Sequence, residues 1–429
     1  MQSFTVQPAK AVRGEIAVPG DKSISHRSIM LGSIARGTTT VRGFLRGEDN
    51  YSTLNAFRAM GVDVADDGET LRIGGKGLHG LAEPFDILDC GNSGTSMRLM
   101  TGLLAGQNFF SILTGDQYLR KRPMKRVLEP LSRMGATIYG RSGGDRAPLA
   151  IVGKELSGID YASPVASAQV KSALMLAGLY ASGTTTITEP HLSRDHSERM
   201  LRYFGGDIET FAGGVRVSGG RELEGRDIVV PGDISSAAFF MVAALIVPGS
   251  ELLIRGVGIN PTRTGILDIL TAMGGSIDLV DCREVSGEPV ADLLVRSSRL
   301  RGIEIGGDLV PRAIDEFPVL CVAAALAEGR TVVREARELR VKETDRIAAM
   351  AANLRKAGVA VTETEDGMEI EGGERLQGGT FESRGDHRIA MSMLVGGLAA
   401  DRDVTVDDVE CIATSFPNFM NLLAGVAVR

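Results

Sequence analysis

Tryptophan is absent from this 429-residue chain, and aromatic residues make up only 5% of it. Basic residues are not in excess either, with 47 Lys and Arg against 54 Asp and Glu. Nucleic-acid proteins combine basic surface with stacking aromatics, so that class is excluded and any anion site must come from local clustering. Cysteine is scarce: Cys90, Cys282, Cys321 and Cys411 lie far apart, with no CxxC pair and no His at metal-ligand spacing. They read as reduced, mostly buried thiols, and no metal is expected. No apolar run reaches membrane-spanning length. Met1 to Lys10 lacks the charged start and apolar core of a secretion signal. The expectation is a soluble, cytoplasmic protein with no nucleic-acid and no membrane partner.

What is present is ordinary globular material, 43% hydrophobic and 24% charged, which leaves out disordered, collagen-like and coiled-coil chains. A repeat organises it. Six times, at intervals of roughly 70 residues, a polar segment rich in Gly, Asp, Ser or Arg runs into an apolar helix-like stretch. The starts fall at Asp21-Lys22-Ser23, Asn92-Ser93-Gly94-Thr95, Ser167-Ala168-Gln169, Gly232-Asp233, Ile314-Asp315-Glu316 and Asp386-His387-Arg388. A helix N-terminus presents unpaired N–H groups and about half a positive charge, so each start suits an anion.

After each apolar helix the pattern gives a short β-branched strand, then a second helix. The second helices are expected to end at Gly61, Gly135, Gly205, Gly274, Gly358 and Gly425, each serving as C-cap. Five of these glycines precede a hairpin-like pair of strands. The sixth copy stops at Val426-Ala427-Val428-Arg429, so its last strand must come from elsewhere, and Glu15 to Val18 is the candidate. Residues before about position 20 then pack with the C-terminal half. The expected fold class is α/β, with two similar domains of three βαβαββ-type units each and a ligand cleft between them. Residues 1–20 with 233–429 would form one domain and 21–232 the other, hinged near 19–21 and 231–233 at Pro-Gly pairs.

Four motifs carry a resemblance. Asp21-Lys22-Ser23-Ile24-Ser25-His26-Arg27, Gly91-Asn92-Ser93-Gly94-Thr95, Arg340-Val341-Lys342-Glu343-Thr344-Asp345-Arg346 and Asp386-His387-Arg388 stand in order on the repeat. Together they closely resemble the 5-enolpyruvylshikimate-3-phosphate synthase family of enolpyruvyl transferases, from the first strand to Thr414-Ser415-Phe416-Pro417. The resemblance implies an inside-out α/β barrel fold without a cofactor. It also implies transfer of the enolpyruvyl group of phosphoenolpyruvate to the 5-hydroxyl of shikimate 3-phosphate, with release of phosphate, by a monomer.

By that resemblance Lys22, Ser23, Arg27, Ser167, Ala168, Gln169, Ser193, Asp315 and Lys342 bind shikimate 3-phosphate. Lys22, Gly94, Arg122, Gln169, Arg346 and Arg388 bind phosphoenolpyruvate, and Asn92, Thr95, Arg98, Arg194 and His387 support them. Asp315 and Glu343 carry the proton transfers, with Lys22 as relay. The residues themselves give a chemical reason: two substrates that each bear a carboxylate and a phosphate repel until cations neutralise them. Arg suits that task because its planar fork binds such groups in pairs. Lys342 and Arg346, at i and i+4, would share one face of a helix with Glu343 beside them.

The chain departs from the enterobacterial pattern at Ser96, Leu99, Ala168, Glu338 and Thr414, the last replacing a Lys that touches phosphoenolpyruvate. Sensitivity to glyphosate therefore does not carry over from the resemblance. Two other readings stay open. A transferase acting on UDP-N-acetylglucosamine usually has a reactive Cys near the basic run Arg120-Lys121-Arg122, where none occurs. A catalytically silent phosphosugar-binding protein would have no need of Asp315 and Glu343.

Overall fold

The computed structural model describes residues 2–373 and 375–429. The chain divides into two compact units. A middle unit comprises Gly20–Val230 with Val285–Gly287, and a terminal unit comprises Met1–Pro19, Pro231–Glu284 and Glu288–Arg429. The chain thus passes from one unit to the other at Pro19–Gly20 and at Val230–Pro231, and again on either side of the short segment Val285–Gly287. Pro231 and Gly232 fall with the terminal unit, where Gly232 bridges Val257.

In each unit three apolar helices form the centre. Those of the middle unit are Lys22–Ile34, Gly94–Ala105 and Ala168–Gly178. Those of the terminal unit are Ile234–Ile246, Phe317–Ala325 and His387–Gly397. These helices are buried on nearly every face, mostly by apolar side chains, though Lys22–Ile34 also buries Ser25, His26, Arg27, Ser28 and Ser33. Every residue from Ile234 to Leu245 is buried, for instance. Phe239 and Phe240 there meet Phe416 and Phe419, with Phe416 and Phe419 edge to face at 5.3 Å. Burying one such ring contributes about 1.5–3 kcal/mol.

Side-chain caps start most of these helices. Asp21, Ser93, Ser167, Asp233 and Asp386 each accept a hydrogen bond from a backbone N–H two or three residues ahead. The helix Phe317–Ala325 differs, because it follows the short helix Leu309–Ala313 after a turn and its N-cap Glu316 makes no such bond. In the middle unit, helices Gly94–Ala105 and Ala168–Gly178 approach closely at Gly102. A Cβ there would fall 2.0 Å from the Ala173 carbonyl oxygen, so only glycine permits the contact.

Strands cover the helices in a repeated order. A short strand pairs in parallel with the strand that follows a central helix, and a hairpin adds antiparallel on the other side. Leu88–Asp89, Phe110–Thr114, Arg146–Val152 and Thr137–Arg141 are neighbours in that order, as are Glu304–Ile305, Arg330–Val333, Met368–Glu371 and Ala360–Glu363. Burial alternates along these strands, as in Thr184–Thr188, where Thr185 and Ile187 face inward. Among the described residues the sheets stay open and separate, with two to five strands each, and none closes into a barrel. The helices lie inside and the strands outside.

The last repeat is completed by the N-terminus, but not by the expected strand. Phe4–Val6 pairs antiparallel with Val404–Asp407, with Thr5 and Thr405 hydroxyls 2.8 Å apart. Ala11–Ala17, which contains Glu15, instead lies parallel to Glu251–Gly258 in a five-stranded sheet. Its first residues also pair with Ala427–Val428. Gly425 is corrected for the same reason. Gly61, Gly135, Gly205, Gly274 and Gly358 all adopt positive φ after their helices, whereas the helix Phe419–Val426 runs through Gly425. No hairpin follows, so the chain needs no left-handed turn and passes straight into a strand.

No helix among the described residues is long and apolar enough to cross a membrane.

Candidate active site

In the middle unit, Lys22 is the first residue of its helix, and its ammonium lies 2.5 Å from the Asp49 carboxylate. Asn50 donates to the Lys22 carbonyl at 3.2 Å. Ser23 lies beside Lys22 in the same turn. Arg27, four residues on, is only 5% exposed. Its guanidinium donates to the Ser197 hydroxyl at 2.7 Å, the Ser172 hydroxyl at 2.8 Å and the Ser23 carbonyl at 3.0 Å. The i,i+4 relation therefore does bring Arg27 to Ser23, through the backbone oxygen.

A second group gathers around Gly94, the first residue of the next central helix. A Cβ at Gly94 would lie 2.8 Å from a terminal nitrogen of Arg98 and 3.1 Å from one of Arg122. Asn92 accepts from Arg122 at 2.5 Å and donates to Asp116 at 2.6 Å. Arg98 donates to the Gln169 side-chain oxygen at 2.6 Å, and the Gln169 amide donates to Thr95 at 3.2 Å. Asn92, Gly94, Thr95, Arg98, Arg122 and Gln169 thus form one connected patch. Two guanidinium groups converge on the one position in it that has no side chain.

Ser167 caps the third central helix, with Ala168 and Gln169 in its first turn. The Ser167 N–H and the Ser193 hydroxyl both donate to Glu189, at 3.0 and 2.8 Å. Arg194 follows Ser193 in the same loop and is partly buried.

In the terminal unit, Asp315 occupies the turn before helix Phe317–Ala325 and draws three cations. Lys342 Nζ lies 3.7 Å from its Oδ1, an Arg346 terminal nitrogen 3.5 Å from the same oxygen, and Arg388 4.0 Å from Oδ2. Arg346 is almost fully buried, with a side chain 2% exposed. Its Nε meets Asp386 at 2.8 Å, and one terminal nitrogen meets Glu343 at 2.6 Å. The other terminal nitrogen, facing Asp315, makes no hydrogen bond. Burial works against the Arg346 charge, but Asp386, Glu343 and Asp315 outweigh it and push its pKa above the ordinary arginine value. His387 shares a 3.3 Å hydrogen bond with Thr414, the residue that stands where the enterobacterial pattern has a Lys.

One expected arrangement is corrected. Lys342 and Arg346 do not share a helix face: Lys342 is extended, at φ −77° and ψ −151°, just past the 3-10 turn Arg337–Val341. The helix begins only at Arg346, because Asp345 caps it at the Ala348 N–H. The two cations still meet at Asp315, by tertiary folding rather than helical spacing.

The sequence reading missed Asp49, Asp116, Glu189 and Lys171. For Lys171 a signal existed: a single Lys in the otherwise apolar run Val170-Lys171-Ser172-Ala173-Leu174 must find a carboxylate if that helix is buried.

Repeated α/β units that gather Arg, Lys and Ser at helix starts in one unit, and in the other hold two carboxylates against a buried Arg346, define a protein class that handles anionic substrates and has groups suited to proton transfer. The chain belongs to the EPSP synthase (3-phosphoshikimate 1-carboxyvinyltransferase) family, whose model matches residues 6–423. It is 81% identical over 428 residues to a 3-phosphoshikimate 1-carboxyvinyltransferase of Geotalea uraniireducens, covering 100% of both chains. It is 79% identical over 429 residues to the enzyme of that name from Geobacter metallireducens, again covering 100% of both. A solved EPSP synthase structure from Acinetobacter baumannii matches with a TM-score of 0.90 at 50% identity, covering 100% of this chain and 99% of that one. The chain is a transferase of the shikimate pathway, which makes aromatic amino acids.

Proposed function

We propose that this chain moves the enolpyruvyl group of phosphoenolpyruvate onto the 5-hydroxyl of shikimate 3-phosphate. In the addition step Glu343 gives a proton to the methylene carbon while the hydroxyl oxygen bonds to the adjacent carbon and Asp315 accepts the hydroxyl proton. In the elimination step Glu343 takes a proton back from the new methyl group, the carbon–oxygen bond to phosphate breaks, and the departing phosphate takes up the proton held by Asp315. Lys22 is the relay on the acceptor side. One observation carries this reading: Asp315 and Glu343 lie against the two terminal nitrogens of the same buried guanidinium, at 3.5 and 2.6 Å. An acid and a base held by one rigid fork are fixed relative to each other, as opposite proton transfers on neighbouring atoms require.

Arg346, Arg388, Arg122, Gly94, Gln169 and Lys22 would hold phosphoenolpyruvate. Lys22, Ser23, Arg27, Ser167, Ala168, Gln169, Ser193, Asp315 and Lys342 would hold shikimate 3-phosphate. Asn92, Thr95, Arg98, Arg194 and His387 would support them. On this reading the residues at 1–20 and 233–429 supply the acid, the base and part of the phosphoenolpyruvate clamp, and those at 21–232 supply most of the acceptor site. The enzyme would act as a cytoplasmic monomer.

The test is phosphate release from phosphoenolpyruvate without added metal. Release is expected only when shikimate 3-phosphate is also present. Silence with both substrates, or equal release with UDP-N-acetylglucosamine as acceptor, would overturn the assignment.

A local prediction concerns Gly94. Gly94→Ala would press on the Arg98 and Arg122 guanidinium groups, both flexible side-chain ends, so the fold should survive while their aim changes. KM for phosphoenolpyruvate is expected to rise about 10- to 100-fold, the weight of one charge-assisted hydrogen bond. The melting temperature should stay close to that of the parent. An unchanged KM would show that the two guanidinium groups do not meet this substrate.

A further inference from the structure

Lys171, Glu189 and Glu198 form a buried ion triad in the middle unit that the proposed proton transfers do not use. The Lys171 ammonium lies 2.9 Å from Glu189 Oε2 and 2.8 Å from Glu198 Oε1, and the three side chains are only 3%, 4% and 5% exposed. Lys171 also donates to the Ser193 carbonyl at 3.3 Å. The second oxygen of Glu198 has no hydrogen-bond partner. Burial pushes the Glu198 carboxyl up against the opposing pull of Lys171.

Two carboxylates sharing one ammonium is a costly way to fill a core. Three apolar side chains of similar volume would pack there without the desolvation penalty. The geometry shows what the triad does instead. Glu189 accepts from the Ser167 N–H at 3.0 Å, the Ser193 N–H at 3.4 Å and the Ser193 hydroxyl at 2.8 and 2.7 Å. Both donors of Ser193 therefore go to this carboxylate. A helix cap and a separate loop are tied to one side chain, which Lys171 in turn anchors to the helix that Ser167 caps.

We propose that Glu189, held by Lys171, is a positioning residue for the phosphate of the acceptor. It sets Ser167 and Ser193 at their working separation and occupies the Ser193 hydroxyl until an incoming phosphate replaces it as acceptor. The Glu189 carboxylate then keeps its bonds to Lys171 and Ser167, so the exchange leaves no buried charge unpaired. This rests on the reading of Ser167 and Ser193 as acceptor-binding residues.

The experiment compares steady-state kinetics of the parent, Glu189→Gln, Glu189→Asp, Ser193→Ala and the double variant Glu189→Gln/Ser193→Ala. Glu189→Gln is expected to raise KM for shikimate 3-phosphate about 10-fold, the effect of misplacing one charge-assisted hydrogen bond, and to leave KM for phosphoenolpyruvate within about 2-fold. Glu189→Asp keeps the charge beside Lys171 but withdraws it from both serines by one methylene. It should give the same selective loss, and it carries the test if the Gln variant does not fold. The double variant should lose less than the two single losses combined, because part of the effect of Glu189 runs through that hydroxyl and the rest through Ser167. Equal changes in both KM values, no change, tighter acceptor binding or additive losses would each overturn the proposal. A parent enzyme inactive with shikimate 3-phosphate would instead overturn the functional reading beneath it.

Discussion

Replacing Glu343 with Ala is expected to lower kcat by about 10²- to 10⁴-fold, the usual weight of one general acid or base. Both substrates should still bind. Glu343 sits at the edge of the cationic cluster, 26% exposed, and touches Arg346 through one oxygen at 2.6 Å. Its removal takes one of three carboxylates from Arg346 but leaves Asp386 and Asp315 in place. The guanidinium should therefore stay where it is, and the loss should fall on the proton transfer. Glu343→Gln, which keeps the shape and a hydrogen-bond acceptor but cannot deliver the same proton, should be nearly as slow. Solvent deuterium incorporation into the methylene of recovered phosphoenolpyruvate provides a direct check, since both variants should lose it. A kcat within a few-fold of the parent would remove Glu343 from the role.

Arg346→Met is the second large effect, and it should appear in stability as well as in rate. The side chain lies in the interior with Asp386 at 2.8 Å, Glu343 at 2.6 Å and Asp315 at 3.5 Å. Removing the cation leaves the fully buried Asp386 without the guanidinium 2.8 Å away and takes from Asp315 a cation nearer than Lys342 or Arg388. Breaking a buried pair in this way typically costs about 3–5 kcal/mol. Urea unfolding should show that loss, and turnover should fall below detection. Arg346→Lys preserves the charge but not the fork, so it should recover much of the stability and little of the activity. Stability of Arg346→Met within about 1 kcal/mol of the parent would mean that the carboxylates do not depend on this guanidinium.

These two residues also show how far a sequence reading reaches. Arg346 and Glu343 stand in a recognisable motif, and their three-residue spacing brings them into contact through the turn that opens a helix. Asp386, which bonds the same guanidinium, lies 40 positions further along. The spacing of Lys342 from Arg346 predicts a shared helix, but Asp345 caps the helix after it and leaves Lys342 extended. The start at Asp233 looked as suited to an anion as the others. There Asp233 itself accepts from the Ser235 N–H and pairs with the buried Arg263 at 3.3 Å, while Ser235 donates to Glu316. Nothing near Asp233 in the chain announces Arg263.

What the sequence by itself determined was local and periodic: where the central helices start, which stretches are strands, that the unit repeats, and which family the motifs match. Those features depend on interactions between residues a few positions apart, such as an Asp21 carboxylate and the N–H three residues ahead. Only the tertiary structure decided which charge meets which. Arg98 reaches Gln169 across 71 positions, Lys171 divides itself between Glu189 and Glu198, and the N-terminal strand that finishes the last repeat is Phe4–Val6 rather than Glu15 to Val18. Ion pairs and hydrogen bonds act over a few ångströms in space and leave no period in the chain, so their partners are chosen by how the helices and sheets pack.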